Sequence, residues 1–270
     1  MVSTSAPSGT TELDPLDAVL FDLDGVLTPT ADVHMRAWRE LFLPYAPDYT
    51  DADYFAHIDG KPRYDGVRAM LASRGIALPD GDPSDGPEAE TVCGLGNRKN
   101  ALFTAVLDAD GVEPYPGSVR FLDLLAGCVR PDGRPVEVAV VSSSKNARPV
   151  LEAAGLLDRF EVIVDGVVAA DRGIPGKPNP DTYLYAAQLL GVPADRAVVV
   201  EDAHSGVAAG RAGRFGLVLG VDRGAGHAEL LASGADVVVD DLGELVPVTD
   251  QRDQPHATPD EPTTENGTSR

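Results

Sequence analysis

Residues Val19-Leu20-Phe21-Asp22-Leu23-Asp24-Gly25-Val26 place two carboxylates, spaced by one residue, at the end of a short apolar run. Such a run reads as a buried strand. Side chains two apart on a strand share a face, so Asp22 and Asp24 leave its carboxyl end together. Gly25 lets the backbone turn away without a Cβ. Close carboxylates repel, and a divalent cation that takes hard oxygen ligands, such as Mg2+, compensates them. One carboxylate could then attack phosphorus while the other trades protons with the attacking or leaving oxygen. A plain polar exit from a strand into a loop uses the same residue types.

Three further fragments bear on that choice. An apolar run over 136–141 leads into Ser142-Ser143-Ser144-Lys145-Asn146, and one over 197–200 leads into Glu201-Asp202. Between them, Gly176-Lys177-Pro178-Asn179-Pro180 opens a helix. In an open parallel sheet, ligands bind outside the carboxyl ends of the strands. The four fragments can converge there. They would supply carboxylates to a cation, and hydroxyl, amide and ammonium groups to a phosphate.

The elements that must position these residues follow from periodicity. From 136 onward strands alternate with helices: strands over 136–141, Val162–Val164, 198–200, Leu217–Val221 and Val237–Val239. Asn179 is expected to cap a helix over 180–190, with Pro180 at its first position and Gly191 ending it. Alternation of this kind predicts an α/β fold with a doubly wound parallel sheet. Between 33 and 113 the apolar residues recur at helical spacing, as in Trp38, Leu41 and Phe42 or Val67, Met70 and Leu71. This helical zone follows the first strand, so it is expected as an inserted cap over Asp22 and Asp24, excluding water and selecting substrate. The expected layout is a core domain of 16–32 with 114–246, a cap of 33–113, and polar tails over 1–15 and 247–270. The Gly/Pro/acidic stretch 80–90 is expected as an exposed loop.

With these motifs in place, the chain over about 18–242 resembles the haloacid dehalogenase superfamily of phosphotransferases, in its helical-cap branch. Within it, Asp22-Leu23-Asp24-Gly25-Val26-Leu27-Thr28-Pro29-Thr30, His34, Ala37-Trp38, Arg63, Arg98-Lys99-Asn100, Tyr115-Pro116-Gly117 and 142–146 resemble the β-phosphoglucomutase-like members. The resemblance implies a Rossmann-like core and Mg2+. It implies Asp22 as the nucleophile that forms an aspartyl-phosphate, and Asp24 as general acid/base with its carbonyl on the metal. Glu201 and Asp202 would complete the metal site. Ser142, Ser143 and Lys177 would grip the transferring phosphate. Ser144, Lys145 and Asn146, with Arg63 from the cap, would hold a second phosphate, and Lys99 would join the substrate site. Thr30 and His34 would couple substrate binding to Asp24. Mutase chemistry on β-glucose 1-phosphate is expected, with hydrolysis of a small sugar phosphate as the alternative. A phospho-receiver module would lack both the second Asp and the cap.

Composition narrows the partners. A net charge of −21 opposes nucleic-acid binding, whose phosphates need a basic surface. A phosphate substrate then demands a local cationic pocket on an acidic body. The chain has 18 arginines but only four lysines, Lys61, Lys99, Lys145 and Lys177, and three of these fall in the motifs above. A compact ammonium suits a point contact that a planar guanidinium does not; Lys61 reads as solvated. No run of about 18 apolar residues suggests a membrane span, and 1–11 do not read as a secretory signal. Cys93 and Cys128 are isolated, so a reducing, cytoplasmic setting is expected, and a monomer.

Overall fold

The computed structural model describes residues 17–247. Apart from Pro247, the expected tails lie outside them. Strands β1 (Ala18–Phe21), β2 (Glu137–Val141), β3 (Val162–Val164), β4 (Ala197–Glu201), β5 (Leu217–Val221) and β6 (Val237–Val239) form one sheet in the order β3-β2-β1-β4-β5-β6. Every pairing is parallel. The central strand β1 is buried along its length, as its unbroken apolar sequence requires of a strand covered on both faces.

Alternate residues of β1 serve opposite layers. Val19 and Phe21 join Val140, Val198 and Val200 in one core, and Ala18 and Leu20 join Ala139 and Val199 in the other. Four helices, α1 (Thr30–Phe42), α2 (Asp51–His57), α3 (Arg63–Ser73) and α4 (Val92–Asp110), follow β1. Next come α5 (Pro116–Ala126), α6 (Ala147–Ala153), α7 (Gly166–Arg172), α8 (Asp181–Leu190), α9 (His204–Ala212) and α10 (His227–Ser233). Phe121, Leu122 and Leu125 of α5 and Val150 and Leu151 of α6 cover the first face. Tyr183, Ala186 and Ala187 of α8 and Ala209 of α9 cover the second. Strand order reverses direction beside β1, and the crevice at its carboxyl end is where such sheets bind ligands.

Helices α1 to α4 build a separate apolar core from Trp38, Leu41, Phe42, Tyr54, Val67, Met70, Leu71 and Leu95. The rings of Trp38 and Phe42 stack at 5.6 Å. Two threonines fix the starts of these helices. Thr91 accepts from the Gly94 amide at 2.9 Å, and Thr50 shares a reciprocal cap with Asp53.

Several element boundaries differ from expectation. Helix α8 starts at Asp181 with Pro180 at its cap position, because Asn179 turns back to Gly176 through both its backbone N–H and its side-chain amide. Helix α7 has no counterpart in the apolar periodicity. Its start depends on Asp165, whose carboxylate accepts from the Val167 and Val168 amides. Helix α1 begins at Thr30, ahead of 33. The stretch 80–90 is irregular, as expected.

Candidate active site

The Asp22 amide extends the ladder, donating to the Val200 carbonyl at 2.9 Å, so the nucleophile candidate stands directly over the end of β1. The chain then reverses at Gly25, whose φ is +91°. A Cβ there would meet Asp202 Oδ2 at 1.8 Å, so only glycine lets the loops after β1 and β4 approach this closely. Ligand oxygens of Asp22, Glu201 and Asp202 all lie within 4.8 Å of one another. Three hard oxygen donors around one point fit Mg2+.

Lys177 is buried behind this group. Its ammonium donates to Asp22 Oδ1 at 2.5 Å, to Glu201 Oε1 at 2.5 Å and to the Val141 carbonyl at 3.0 Å. The Tyr183 hydroxyl also donates to Glu201 Oε1, at 2.7 Å. The Ala203 amide donates to Glu201 Oε2 at 3.3 Å. Glu201 thus has three partners among the described residues, Lys177, Tyr183 and Ala203, which suits it to anchoring Lys177 as well as to the cation.

Burial pushes the Asp22 carboxyl well up, opposed first by the Lys177 charge. Burial also pushes Asp202 up, reinforced by the charges of Asp59 and Asp22. Asp59, from the cap, rises to about 7 through burial and then the Glu201 charge. A divalent cation among these groups would lower all of them.

Asp24 faces the cap. The Thr30 hydroxyl donates to Asp24 Oδ1 at 2.5 Å and accepts from Thr28. His34 Nε2 stands 3.4 Å from the same oxygen. Burial opposes ionisation of Asp24, but His34 and Thr30 outweigh it and hold the group at about 2. The other face of the imidazole, Nδ1, receives Lys99 Nζ. When Lys99 is an ammonium, which only donates, Nδ1 accepts and Nε2 keeps its proton on the side of Asp24. His34 stacks on Phe103 at 4.1 Å. Burial, then the Lys99 charge, lowers His34; burial, then Arg63, lowers Lys99 to about 7.

A second polar group lies at the cap side of the crevice. Arg63 donates to Asn100 Oδ1 at 2.6 Å, and the Asn146 amide donates to the same oxygen at 2.7 Å. One cap carbonyl therefore ties a cap guanidinium to a loop of the sheet. Lys145 Nζ lies over the Tyr64 ring at 5.6 Å. These groups open onto one crevice, with a cavity volume of about 80 Å³. Asp22, Asp24, His34, Arg63, Lys99, 143–146, Glu201 and Asp202 all line it. Ser142, Lys177 and Thr30 lie buried behind its wall.

The family model for haloacid dehalogenase-like hydrolases matches residues 16–214. The chain belongs to this family. The haloacid dehalogenase-like chain is 49% identical to a β-phosphoglucomutase of Mycobacterium bovis over 85% of its own length and 91% of that protein. It is 32% identical to the fructose-1-phosphate phosphatase YqaB of Escherichia coli, over 72% of this chain and 90% of that one. Among solved structures it resembles β-phosphoglucomutase from Clostridium difficile, with a TM-score of 0.67 and 26% identity over 85% and 93% of the two chains.

Some side chains of this haloacid dehalogenase-like site do other than expected. The Ser143 hydroxyl, expected on phosphate, donates to the Gly60 carbonyl of the cap at 2.8 Å. The Ser142 hydroxyl accepts from the Ser144 amide, and the Ser144 hydroxyl from the Asn146 amide, so both also shape the turn. Lys61, expected in solvent, lines the crevice and donates to the His57 carbonyl at 2.7 Å. Three residues were not assigned to the site from sequence: Asp59, Asn100 and Tyr183. Asn100 falls in the 98–100 motif but has no role assigned there, and Asp59 reaches the site through cap packing, which no local pattern encodes. Tyr183 sits in an ordinary helical apolar stripe, where its hydroxyl gives no separate signal.

Proposed function

We propose that the chain is a Mg2+-dependent phosphotransferase acting on sugar phosphates, a β-phosphoglucomutase that interconverts β-glucose 1-phosphate and glucose 6-phosphate through a sugar bisphosphate. One observation carries this reading: a single crevice is lined by Asp22, Asp24 and Asp202 and also by Arg63, Lys145 and Asn146. A bisphosphate needs such a carboxylate and cation end together with a cationic end. The 49% identity to the mycobacterial mutase supports the same substrate class.

In this assignment a carboxylate oxygen of Asp22 attacks phosphorus and forms an aspartyl-phosphate. Asp24, held ionised by His34 and Thr30, takes the proton of the hydroxyl that receives the phosphoryl group and, once protonated, gives it to a leaving sugar oxygen. Thr30 and His34 hold Asp24 on the cap side. Their contact lets cap position bear on its protonation. Lys177 and Ser142 stabilise the charge spread over the transferring group. Glu201 holds Lys177 in place. Bound Mg2+, held by Asp22, Asp202 and the Asp24 carbonyl with Glu201 beside them, would neutralise phosphate charge. Residues 16–32 with 114–246 form the catalytic domain, and 33–113 form the lid. Arg63, Lys145, Ser144 and Asn146 take the distal phosphate.

A hydrolytic reading rests on the likeness to the fructose-1-phosphate phosphatase. There water, rather than a second sugar hydroxyl, would meet the aspartyl-phosphate. Incubation with β-glucose 1-phosphate, a trace of the bisphosphate and Mg2+ separates them. Glucose 6-phosphate is the expected product; free phosphate alone would replace the mutase with the phosphatase.

A further inference from the structure

Two hydroxyls of the sheet domain hold the cap turn that carries Asp59 and Gly60. Ser143 Oγ donates to the Gly60 carbonyl at 2.8 Å, and Ser205 Oγ donates to the Asp59 carbonyl at 3.2 Å. Ser143 follows β2 and Ser205 lies in α9, after β4. These strands flank β1, so the turn is gripped from both sides of the catalytic loop. Gly60 has φ +67°, and a Cβ there would stand 2.0 Å from Ser205 Oγ and 3.3 Å from Ala203 Cβ. The turn is therefore seated with no room for a side chain.

This seating places Asp59 on the crevice wall with Gly60 and Lys61, its carboxylate within hydrogen-bond reach of the Tyr54 hydroxyl. Asp59 shares the crevice with Asp22, Glu201 and Asp202, and the turn that carries it packs against Ala203, the residue after Asp202. Lys177 also faces it, but Asp22 and Glu201 already accept from that ammonium. A fourth acid is thus brought by the cap to the corner where Asp22, Glu201 and Asp202 meet. Like charges approach this way at a cost unless a cation is shared. Mg2+ retains several of its waters when protein carboxylates bind it. Those waters donate hydrogen bonds to acceptors just beyond the ligands.

We infer that Asp59 is a positioning residue of the metal site, accepting from water on the cation held by Asp22 and Asp202, so that cation binding and cap closure strengthen each other. This rests on the metal assignment made above. Binding linkage is reciprocal: whatever factor closure adds to cation affinity, the cation adds to closure.

The test uses the full chain without substrate. Mg2+ affinity is measured by calorimetry, and closure by fluorescence of Trp38, the single tryptophan, which lines the crevice. Asp59→Asn, nearly isosteric, should weaken Mg2+ binding by about tenfold or more, the loss typical of a removed partner beyond the ligands. It should also abolish the Mg2+-dependent change in Trp38 emission. Ser205→Ala keeps the carboxylate but loosens its seat, and should weaken Mg2+ by about two- to tenfold, the worth of one hydrogen bond. Asp22→Asn is the reference for losing a direct ligand. If Asp59→Asn binds Mg2+ as tightly as wild type, or tighter, while Asp22→Asn does not, Asp59 has no part in the metal site and the metal assignment stands. If wild type itself binds no Mg2+, both fall together.

Discussion

Lys177 Nζ donates to Asp22 Oδ1 at 2.5 Å with both side chains buried, the lysine to 2% exposure and the aspartate to 10%. Glu201 takes the same ammonium from the other side. Burial works against the Lys177 charge, but the Asp22 and Glu201 charges outweigh it and raise its pKa above the ordinary lysine value. The ammonium therefore stays charged and ties the ends of β1, β2 and β4 together through Asp22, Val141 and Glu201.

Lys177→Met should remove the counter-charge between two buried carboxylates. Breaking one partner of such a group costs about 3–5 kcal/mol. Urea unfolding should show that loss, with Mg2+ recovering part of it. An unchanged midpoint would mean that the carboxylates are neutral without Lys177.

Asp22→Asn should fold normally and lose phosphoryl transfer, seen as no leaving-group burst. Asp24→Asn should slow transfer from a sugar phosphate by about 100-fold or more. Its defect should shrink with an aryl phosphate, whose leaving group needs no proton. Equal defects on both substrates would remove Asp24 from the acid role.

Lys99→Met should raise the His34 pKa. Burial and then the Lys99 charge lower it, so deleting that charge shifts it upward, a change that imidazole NMR reads directly. Stability has a sign as well. The folded Lys99 pKa of about 7 lies below its ordinary 10.5, so the native state binds fewer protons between those values. The penalty of burying the ammonium is complete below 7 and is relieved as pH rises toward 10.5. The stability gap between Lys99→Met and wild type should change with pH across that window, to the variant's greatest relative advantage at the acid end.

Arg63→Ala should cut isomerisation while leaving aryl phosphate hydrolysis nearly intact, because an aryl phosphate offers no second phosphate. Charge-assisted contacts of this type are roughly twice as strong as neutral ones. The ratio of transfer to hydrolysis is the measurement. A parallel fall in both would assign Arg63 to cap structure through Asn100.

EDTA should abolish turnover and Mg2+ should restore it. At about 100 times its dissociation constant, Mg2+ should stabilise the fold by about 2.7 kcal/mol if it binds the native state alone. A melting temperature unmoved by Mg2+ would remove the cation from the acidic site.

The core strands were legible because apolar runs ended in chemistry: Phe21 into Asp22, Val141 into Ser142, Val200 into Glu201. A parallel sheet leaves those ends on one edge, so order along the chain is enough to bring Asp22, Ser142 and Glu201 together. Helix α7 escaped because Gly166–Arg172 is short and partly exposed, so its apolar residues mark no face. Lys61 and Asp59 were illegible for another reason. Their surroundings are set by how α2 and α3 lean on the sheet loops, at contacts such as Pro62 against Gly176. Such contacts depend on tertiary distance, and spacing in sequence does not carry it.

The apolar core around Trp38, Val67 and Leu95 is built by α1 to α4, and α1 and α4 also place Ala37 and Phe103 in the core on one face of β1. Helices α2 and α3 contribute to the first of these cores and to neither core of the sheet, so they can open at a lower free energy than the strands. Amides of α2 and α3 should then exchange with deuterium through an event that leaves the protons of β1 and β4 in place. A bound phosphosugar would close that route by bridging both parts, so slowed exchange in the helices alone would mark an occupied crevice without any catalytic assay.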